Sequence, residues 1–472
     1  MISRTRASDE KRPPPSRRRS SGLTPKIHYK QHQKTRLLRS VPVVLRLDTR
    51  HETFERDFQV LLGAKREVSE DVDLRVREII ASVRRDGDRA LIAFSKELDR
   101  VDLDKIGIAV SKAEIAAARG KVDPATLDAL ALAAARIEAH HLKQKPQDER
   151  YTDPIGVELG ARWTALPSVG LYVPGGSASY PSSVLMNAIP AKVAGVARIV
   201  MVVPAPEGLI NPLVLAAAEL AGVDEIYRVG GAQAVAALAY GTETIAPVAK
   251  IVGPGNAYVA AAKRCVFGTV GIDMIAGPSE VLIVADGNNN PDWIAADLLA
   301  QAEHDRAAQS ILLTDDPAFG DAVAAAVECQ LLTLPRSDIA RESWQTYGAI
   351  IVFQEWDDAL ALTDRLAPEH LELAFPDADG FAGRVHHAGA IFIGAHTPEA
   401  IGDYVGGSNH VLPTARSARF SSGLSVLDFV KRTSVLKCGP EQLRIIGPAA
   451  IALAKAEGLD GHGKSVSIRL NL

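Results

Sequence analysis

Gln301 and His304 are the side chains best placed to hold a metal ion. They lie three positions apart on a helix predicted from about Pro291, and side chains at that spacing share one face of a helix. A lone pair of this kind is more often structural, but a carboxamide and an imidazole also give two metal ligands from one rigid element. Asp403, His410 and His462 are further candidate ligands. Nitrogen and oxygen donors without thiolates favour a catalytic or substrate-holding zinc site over a structural one.

Glu369 and His370 place a carboxylate and an imidazole side by side, directly after Pro368. Because proline favours the first turn of a helix, we expect a helix to begin here, with the imidazole near its N-terminus. That position disfavours the imidazolium form and leaves a neutral general base. Adjacent Glu–His pairs are common by chance, so the pattern alone leaves a structural role open.

Glycine turns after predicted strands are the candidates for binding a dinucleotide. They lie at Gly175-Gly176, Gly230-Gly231 and Gly253/Gly255. Such turns allow a pyrophosphate to approach the backbone at a helix N-terminus. The full G-x-G-x-x-G fingerprint is absent, because Tyr258 stands where its last glycine would be. About half of such turns in α/β proteins serve only to reverse the chain, so this signal stays weak on its own.

Alternating strands and helices must position these residues. Buried-strand patterns at 169–173, 199–203, 225–229 and 250–252 alternate with helical patterns, and the alternation resumes after 277–279. Such a rhythm predicts βαβ units and parallel sheets. We therefore predict an α/β fold with two incomplete, Rossmann-like parallel-sheet modules. The predicted divisions are a basic extension (1–41), a helical N-terminal part (42–169), a first module (170–280), a second module (281–425) and a C-terminal tail (426–472).

The charge is distributed unevenly along the chain. The net charge is −4, yet residues 1–41 hold 12 Lys or Arg against two acidic residues. The remaining chain is therefore acidic, which argues against nucleic acid as the main partner. No apolar run approaches the roughly 18 residues of a membrane span.

Residues 1–41 contain little apolar surface, so we expect them to be disordered. A misassigned start codon or an inert tail explains them better than a targeting signal, because prolines interrupt any amphipathic helix and no apolar core of an export signal is present. Cys265, Cys329 and Cys438 have the spacing of neither a disulfide framework nor a thiolate zinc site. They favour a reducing compartment, and we predict a cytoplasmic protein.

Eight longer sequence motifs, here called words, give these separate observations a common interpretation. Together, in this order and spacing, they resemble the histidinol dehydrogenase family over roughly residues 44–470. The words are GLYVPGGSASYPSS (170–183), VGGAQAVAALAYGTE (229–243), KIVGPGNAYV (250–259), DMIAGPSEVL (273–282), DLLAQAEHD (297–305), APEHLEL (367–373), GDYVGGSNHVLPT (402–414) and AEGLDGHGKSV (456–466).

The resemblance implies a homodimer that oxidises L-histidinol through L-histidinal to L-histidine, with two NAD reduced and one zinc ion per subunit. It implies an acid–base pair of Glu369 and His370. The cofactor would lie against Tyr172, Gln233 and Asn256. Zinc would be bound by Gln301, His304, Asp403 and, through an exchanged C-terminal tail, the His462 of the other subunit. The implied substrate contacts are Ser279, Gln301, His304, His370, Asp403, Glu457 and His462.

Three rival hypotheses remain at this stage. A paralogous dehydrogenase would oxidise another polar alcohol, although Glu457 and His462 are both present, as a histidinol site requires. A non-catalytic binding protein would be expected to lack part of the acid–base pair or of the ligand set, and none is missing. A cysteine-dependent aldehyde dehydrogenase would need one of the three cysteines for turnover.

Overall fold

The computed structural model describes residues 44–64, 70–175 and 180–472. The predicted disordered extension and Gly176 lie outside the described residues. The chain begins with a short strand and a series of helices, followed by two strands of a hairpin. These are β1 (Leu45–Asp48), α1 (Phe54–Gly63), α2 (Glu70–Asp86), α3 (Asp88–Leu98), α4 (Leu103–Ile106), α5 (Lys112–Arg119), α6 (Pro124–Leu142), β2 (Glu149–Thr152) and β3 (Glu158–Ala165).

The first α/β module has the predicted alternation of strands and helices. Its elements are β4 (Ser168–Tyr172), α7 (Pro181–Ala194), β5 (Arg198–Val202), α8 (Pro212–Ala221), β6 (Glu225–Tyr227), α9 (Gly231–Tyr240), β7 (Lys250–Val252), α10 (Ala257–Val266) and β8 (Gly271–Ile272). The strands form a parallel sheet in the order β6-β5-β4-β7-β8. Helices cover both faces, so the central strands are buried and read as apolar runs.

The second module repeats this architecture. Its elements are β9 (Glu280–Ala285), α11 (Pro291–Ala302), β10 (Gln309–Thr314), α12 (Pro317–Gln330), α13 (Ser337–Tyr347), β11 (Ala349–Val352), α14 (Trp356–Leu366), β12 (His370–Ala374), α15 (Ala378–Ala382), β13 (Ala390–Ile393) and α16 (Glu399–Tyr404). The sheet order is β1-β11-β10-β9-β12-β13, and all pairs are parallel. The N-terminal strand β1 thus belongs to this sheet, although the sequence pattern did not predict it.

The C-terminal tail consists of β14 (Val430–Lys437), α17 (Pro440–Ala456) and α18 (Asp460–Ser467). Strand β14 pairs antiparallel with β3, which in turn pairs antiparallel with β2. Helices α17 and α18 pack against each other.

Short 3-10 helices occupy Pro206–Gly208, Ser417–Arg419, Val426–Phe429 and Ile468–Leu470. Within the described ranges, no helix is both long enough and apolar enough to cross a membrane.

The structure confirms the predicted α/β class with two parallel-sheet modules. One local prediction is wrong, because no helix begins at Pro368. Helix α14 ends at Leu366, Ala367 has a left-handed φ of 46°, and His370 opens strand β12. The left-handed residue ends the helix, and the proline then leads into an extended segment that pairs with β9 and β13.

The two sheets present opposite ends to the space between them. In the first module, Tyr172 ends β4 and Gly253 follows β7, so the carboxyl ends of the strands face this space. In the second module, Ser279 precedes β9 and Glu369 precedes β12, so the amino ends face it. Open α/β sheets usually bind ligands at the carboxyl ends of their strands, where the glycine turns were predicted, and only the first module follows that rule.

Candidate active site

One cavity of about 1100 Å³ lies between the two modules. That volume slightly exceeds the roughly 300–1,000 Å³ of ordinary small-molecule sites and leaves room for more than one ligand. The structure brings most of the predicted site residues to its wall. They are Tyr172, Gln233, Asn256, Ser279, His304, Glu369, His370 and Asp403.

The glycine turns of the first module form one wall of the cavity. The Gly231 N–H donates to the Tyr172 hydroxyl at 3.0 Å, and burial raises the pKa of Tyr172 to about 12. A Cβ at Gly253 would overlap the Tyr172 carbonyl oxygen, so only glycine fits there. Asn256 caps α10 by accepting from the N–H groups of the next turn. The Oε1 atom of Gln233 is buried and has no hydrogen-bond partner among the described residues.

Glu280 holds both members of the Glu369–His370 pair. Its N–H donates to the Glu369 carboxylate at 2.9 Å, and its carbonyl accepts from His370 Nδ1 at 3.0 Å. A carbonyl oxygen can only accept, so Nδ1 carries the hydrogen and Nε2 of the neutral ring is left to accept a proton. His370 Nε2 is buried, without a hydrogen-bond partner in the described chain, and lies 3.8 Å from Asp403 Oδ1.

Burial keeps His370 neutral. It lowers the pKa of His370 below the ordinary value of 6.5, and nearby His304 and His410 act in the same direction. Asp403 and the Glu280 carbonyl oppose this shift, but burial is the largest cause. The predicted cause, a helix N-terminus, is wrong, since His370 lies at the start of a buried strand.

A group of buried carboxyls lies behind His370. Glu399 Oε2 is 3.8 Å from His370 Nδ1, and the Glu399 N–H donates to Glu372 at 2.6 Å. Burial, reinforced by neighbouring carboxylates, raises the pKa of Glu399 and Glu372 well above their ordinary range. Burial also raises the pKa of Asp297 to about 6. A protonated Glu399 is uncharged, so it does not favour the imidazolium form of His370.

Gln301 and His304 remain neighbours although α11 ends between them. The Gln301 carboxamide donates to His304 Nδ1 at 3.1 Å. Gln301 itself is fully buried, and its Oε1 atom has no hydrogen-bond partner among the described residues. An unpaired buried carbonyl oxygen costs about 1–3 kcal/mol. That cost is removed when the oxygen binds a ligand or an ion.

Of the remaining candidate residues, His410 lines the cavity, whereas Glu457 and His462 do not. His410 lies in the same cavity, with one ring nitrogen 3.1 Å from the Asp403 carbonyl oxygen and the other 3.3 Å from the Ser183 hydroxyl. Glu457 and His462 are exposed on the tail and do not line the cavity of their own chain. Glu280 and Glu399 were not predicted as site residues, because their roles depend on contacts with residues far along the chain.

The three cysteines lie in the described part of the chain as free thiols. None of them lines the cavity. This placement argues against a cysteine-dependent aldehyde dehydrogenase, because a thiol nucleophile must reach the reacting carbon.

The fold and cavity define an α/β enzyme in which the glycine turns of one module face the Glu369–His370 pair of the other, which the Glu280 main chain holds. The histidinol dehydrogenase family model matches residues 63–470. The histidinol dehydrogenase of Mesorhizobium japonicum is 72% identical over 89% of this chain and 97% of that protein. That of Rhizobium meliloti is 68% identical over 91% and 99%, respectively. The crystal structure of histidinol dehydrogenase from Elizabethkingia anophelis superposes with a TM-score of 0.87 at 37% identity, covering 91% of this chain and 98% of that one.

The chain therefore belongs to the histidinol dehydrogenase family, and it is an oxidoreductase.

Proposed function

We propose that the protein oxidises L-histidinol through L-histidinal to L-histidine, the final steps of histidine biosynthesis, using NAD and zinc. The observation that carries this proposal is that Asn256, at a glycine turn, and His370, in the acid–base pair, line the same cavity. NAD would accept the hydride from the carbinol carbon. The free thiols fit a reducing compartment such as the cytoplasm.

The residues present fit a zinc ion. The unpaired Oε1 of Gln301 and the adjacent imidazole of His304 are a carbonyl oxygen and a nitrogen donor, to which Asp403 would add a carboxylate. Within residues 44–64, 70–175 and 180–472, no three His, Cys, Asp or Glu side chains are grouped closely enough to hold an ion. The zinc ligand set would therefore need the Gln301 carboxamide and a further ligand that these side chains do not supply. When bound, zinc would hold the imidazole and amine of histidinol.

His370 supplies the base for the first oxidation. Its unprotonated Nε2 would accept the hydroxyl proton of the alcohol as the carbon is oxidised. Ser279 and Asp403 line the same cavity and would position the substrate. Because the Nδ1 hydrogen is fixed on the Glu280 carbonyl, the ring does not need to reorient before it takes the proton.

Glu369 supplies the base for the second oxidation. Glu369 is 5% exposed, and its carboxylate accepts a hydrogen bond from the Glu280 N–H. It would take a proton from the water that attacks the aldehyde, giving the hydrate that is oxidised to the carboxylate. Two proton acceptors at one carbon are what a two-step oxidation requires.

Replacing Glu369 with Gln should slow the aldehyde step more than the alcohol step. The amide keeps an acceptor for the Glu280 N–H but takes no proton, so we expect about a 10²-fold or greater loss on L-histidinal. NADH formation from L-histidinal, compared with the first turnover on L-histidinol, measures the split. Glu355→Gln, on the exposed start of α14, is the control. Equal losses in both steps would argue against this role.

We further propose that two copies of the chain share each site through exchange of the tail. Glu457 and His462 are exposed and lie outside the cavity of their own chain, so exchange of the tail would carry them to the cavity of a second copy. The tail also exposes apolar side chains that a partner would cover. These are Leu436 (67%), Ile445 (62%), Leu453 (64%) and Ile468 (59%).

Mixed dimers of His304→Ala and His462→Ala should regain activity. Each variant is expected to be inactive alone, but a mixed dimer has one site with both histidines intact. Random mixing should therefore restore about one quarter of the wild-type rate. The control is a mixture of His304→Ala with Asp403→Ala, which leaves no complete site and should stay inactive. Shared sites would be excluded if proven mixed dimers of the first pair stayed inactive.

The direct test of the proposed function is NADH counting with L-histidinol. We expect two NADH and one L-histidine per L-histidinol consumed. One NADH with release of L-histidinal would contradict the second step. Activity on another amino alcohol but not on L-histidinol would favour the paralogous dehydrogenase.

A further inference from the structure

Lys263 and Asp273 form a buried ion pair beneath the glycine turn of the first module. Their side chains are 2% and 1% exposed, and Lys263 Nζ contacts Asp273 Oδ1. Lys263 lies on α10, and Asp273 follows β8. Neither residue has a role in the proposed chemistry.

The pair holds both polar groups of Gly253. Lys263 Nζ donates to the Gly253 carbonyl at 3.0 Å, and the Gly253 N–H donates to Asp273 Oδ2 at 2.7 Å. The Met274 N–H donates to the other carboxylate oxygen at 2.6 Å. Gly253 has a φ of 109°, which neither a helix nor a strand adopts. Hydrogen bonds to side chains, and not those of a helix or sheet, therefore fix this turn.

Stability alone does not account for such a pair. Removing two charges from water is costly, and well-packed apolar residues often replace a buried ion pair without loss of stability. Apolar residues would not supply a hydrogen-bond donor for the Gly253 carbonyl or an acceptor for the Gly253 N–H. The turn that they fix continues into Asn256 and the start of α10, which line the cavity.

We propose that Lys263 and Asp273 are positioning residues for the dinucleotide cofactor. They hold the turn 253–255 in the shape that lets the cofactor approach its backbone. This inference rests on the proposed use of NAD. Asp273 also starts the segment that runs to Ser279, so the same pair anchors the connection between the cofactor wall and the substrate wall.

The test is the affinity of the full-length protein for NADH and NAD, measured by fluorescence and calorimetry. The charge-neutral double variant Lys263→Met/Asp273→Asn keeps one acceptor oxygen but loses the donor to the Gly253 carbonyl. We expect its Kd for NADH and its KM for NAD to rise about tenfold or more. The KM for L-histidinol should stay unchanged, a split that general destabilisation would not produce.

The matched control is Arg198→Met/Glu225→Gln. This ion pair lies in the same module at the amino ends of β5 and β6, away from the cavity, with contacts of 2.7 and 2.8 Å. It should leave the Kd for NADH unchanged. If the double variant at 263 and 273 does not fold, Asp273→Asn alone is measured, with the same direction expected.

Each outcome decides the proposal. Weaker NADH binding in the variant at 263 and 273, but not in the control, supports positioning. An unchanged Kd, or equal weakening in the control, overturns it. Failure of the wild-type protein to bind NAD at all would instead refute the proposed function.

Discussion

Replacing His370 with Asn is expected to lower kcat for L-histidinol oxidation by about 10²- to 10⁴-fold. Asn keeps an N–H that can donate to the Glu280 carbonyl, as His370 Nδ1 does at 3.0 Å, but it offers no basic nitrogen. The proton of the alcohol then has no acceptor at the position of Nε2. Because the site is buried, water does not readily replace the imidazole.

Steady-state NADH formation measures this loss. His386→Asn is the control, since His386 is exposed and paired with Asp364 on the surface. In the wild-type protein the rate should fall with decreasing pH through the pKa of His370, which burial places below 6.5. This acid limb should disappear in the Asn variant. A variant that retains wild-type kcat, or a limb that persists unchanged, would assign the base to another residue.

Removing the metal with a chelator is expected to abolish turnover, and zinc should restore it. The buried Oε1 of Gln301 lies beside His304 and lacks a hydrogen-bond partner in the described chain, so an ion could bind there. An ion bound there would hold the substrate in the geometry for reaction, and loss of such positioning commonly costs 10²-fold or more.

Metal content and activity should change together across ligand variants. We expect His304→Ala to purify with less than one zinc per subunit and to regain no activity with added zinc. Gln330→Leu, at the end of α12, is the matched control and should bind zinc as the wild type does. Full turnover in protein shown to be free of metal would refute the ligand assignment.

Periodicity in the sequence predicted the modules well because their strands are buried on both faces and alternate with helices. Strands β4, β5 and β7 appear close to the positions expected at 169–173, 199–203 and 250–252. Strand β1 was missed because four residues give too little pattern. The β3–β14 pairing was missed because it joins residues more than 260 positions apart and one partner is largely exposed.

The sequence predicted only part of the candidate site. The longer sequence motifs suggested Glu369, His370, Gln301 and His304. The structure places Glu369, His370 and His304 on the cavity wall, and Gln301 contacts His304. The helix expected after Pro368 was wrong because pairing with β9 and β13 outweighs the local preference of proline. The bridging role of Glu280 depends on register between β9 and β12, which no local pattern specifies.

The opposed directions of the two sheets bring opposite helix ends to the two walls of the cleft. Helices α9 and α10 begin at the first wall and present their partial positive charge to it, whereas α11 and α14 end near the second wall with partial negative charge. A diphosphate is thus attracted to one side, and a metal cation or an ammonium group to the other. An anionic coenzyme and a cationic amino alcohol would therefore each be favoured at a different wall, within about one turn of the helix ends.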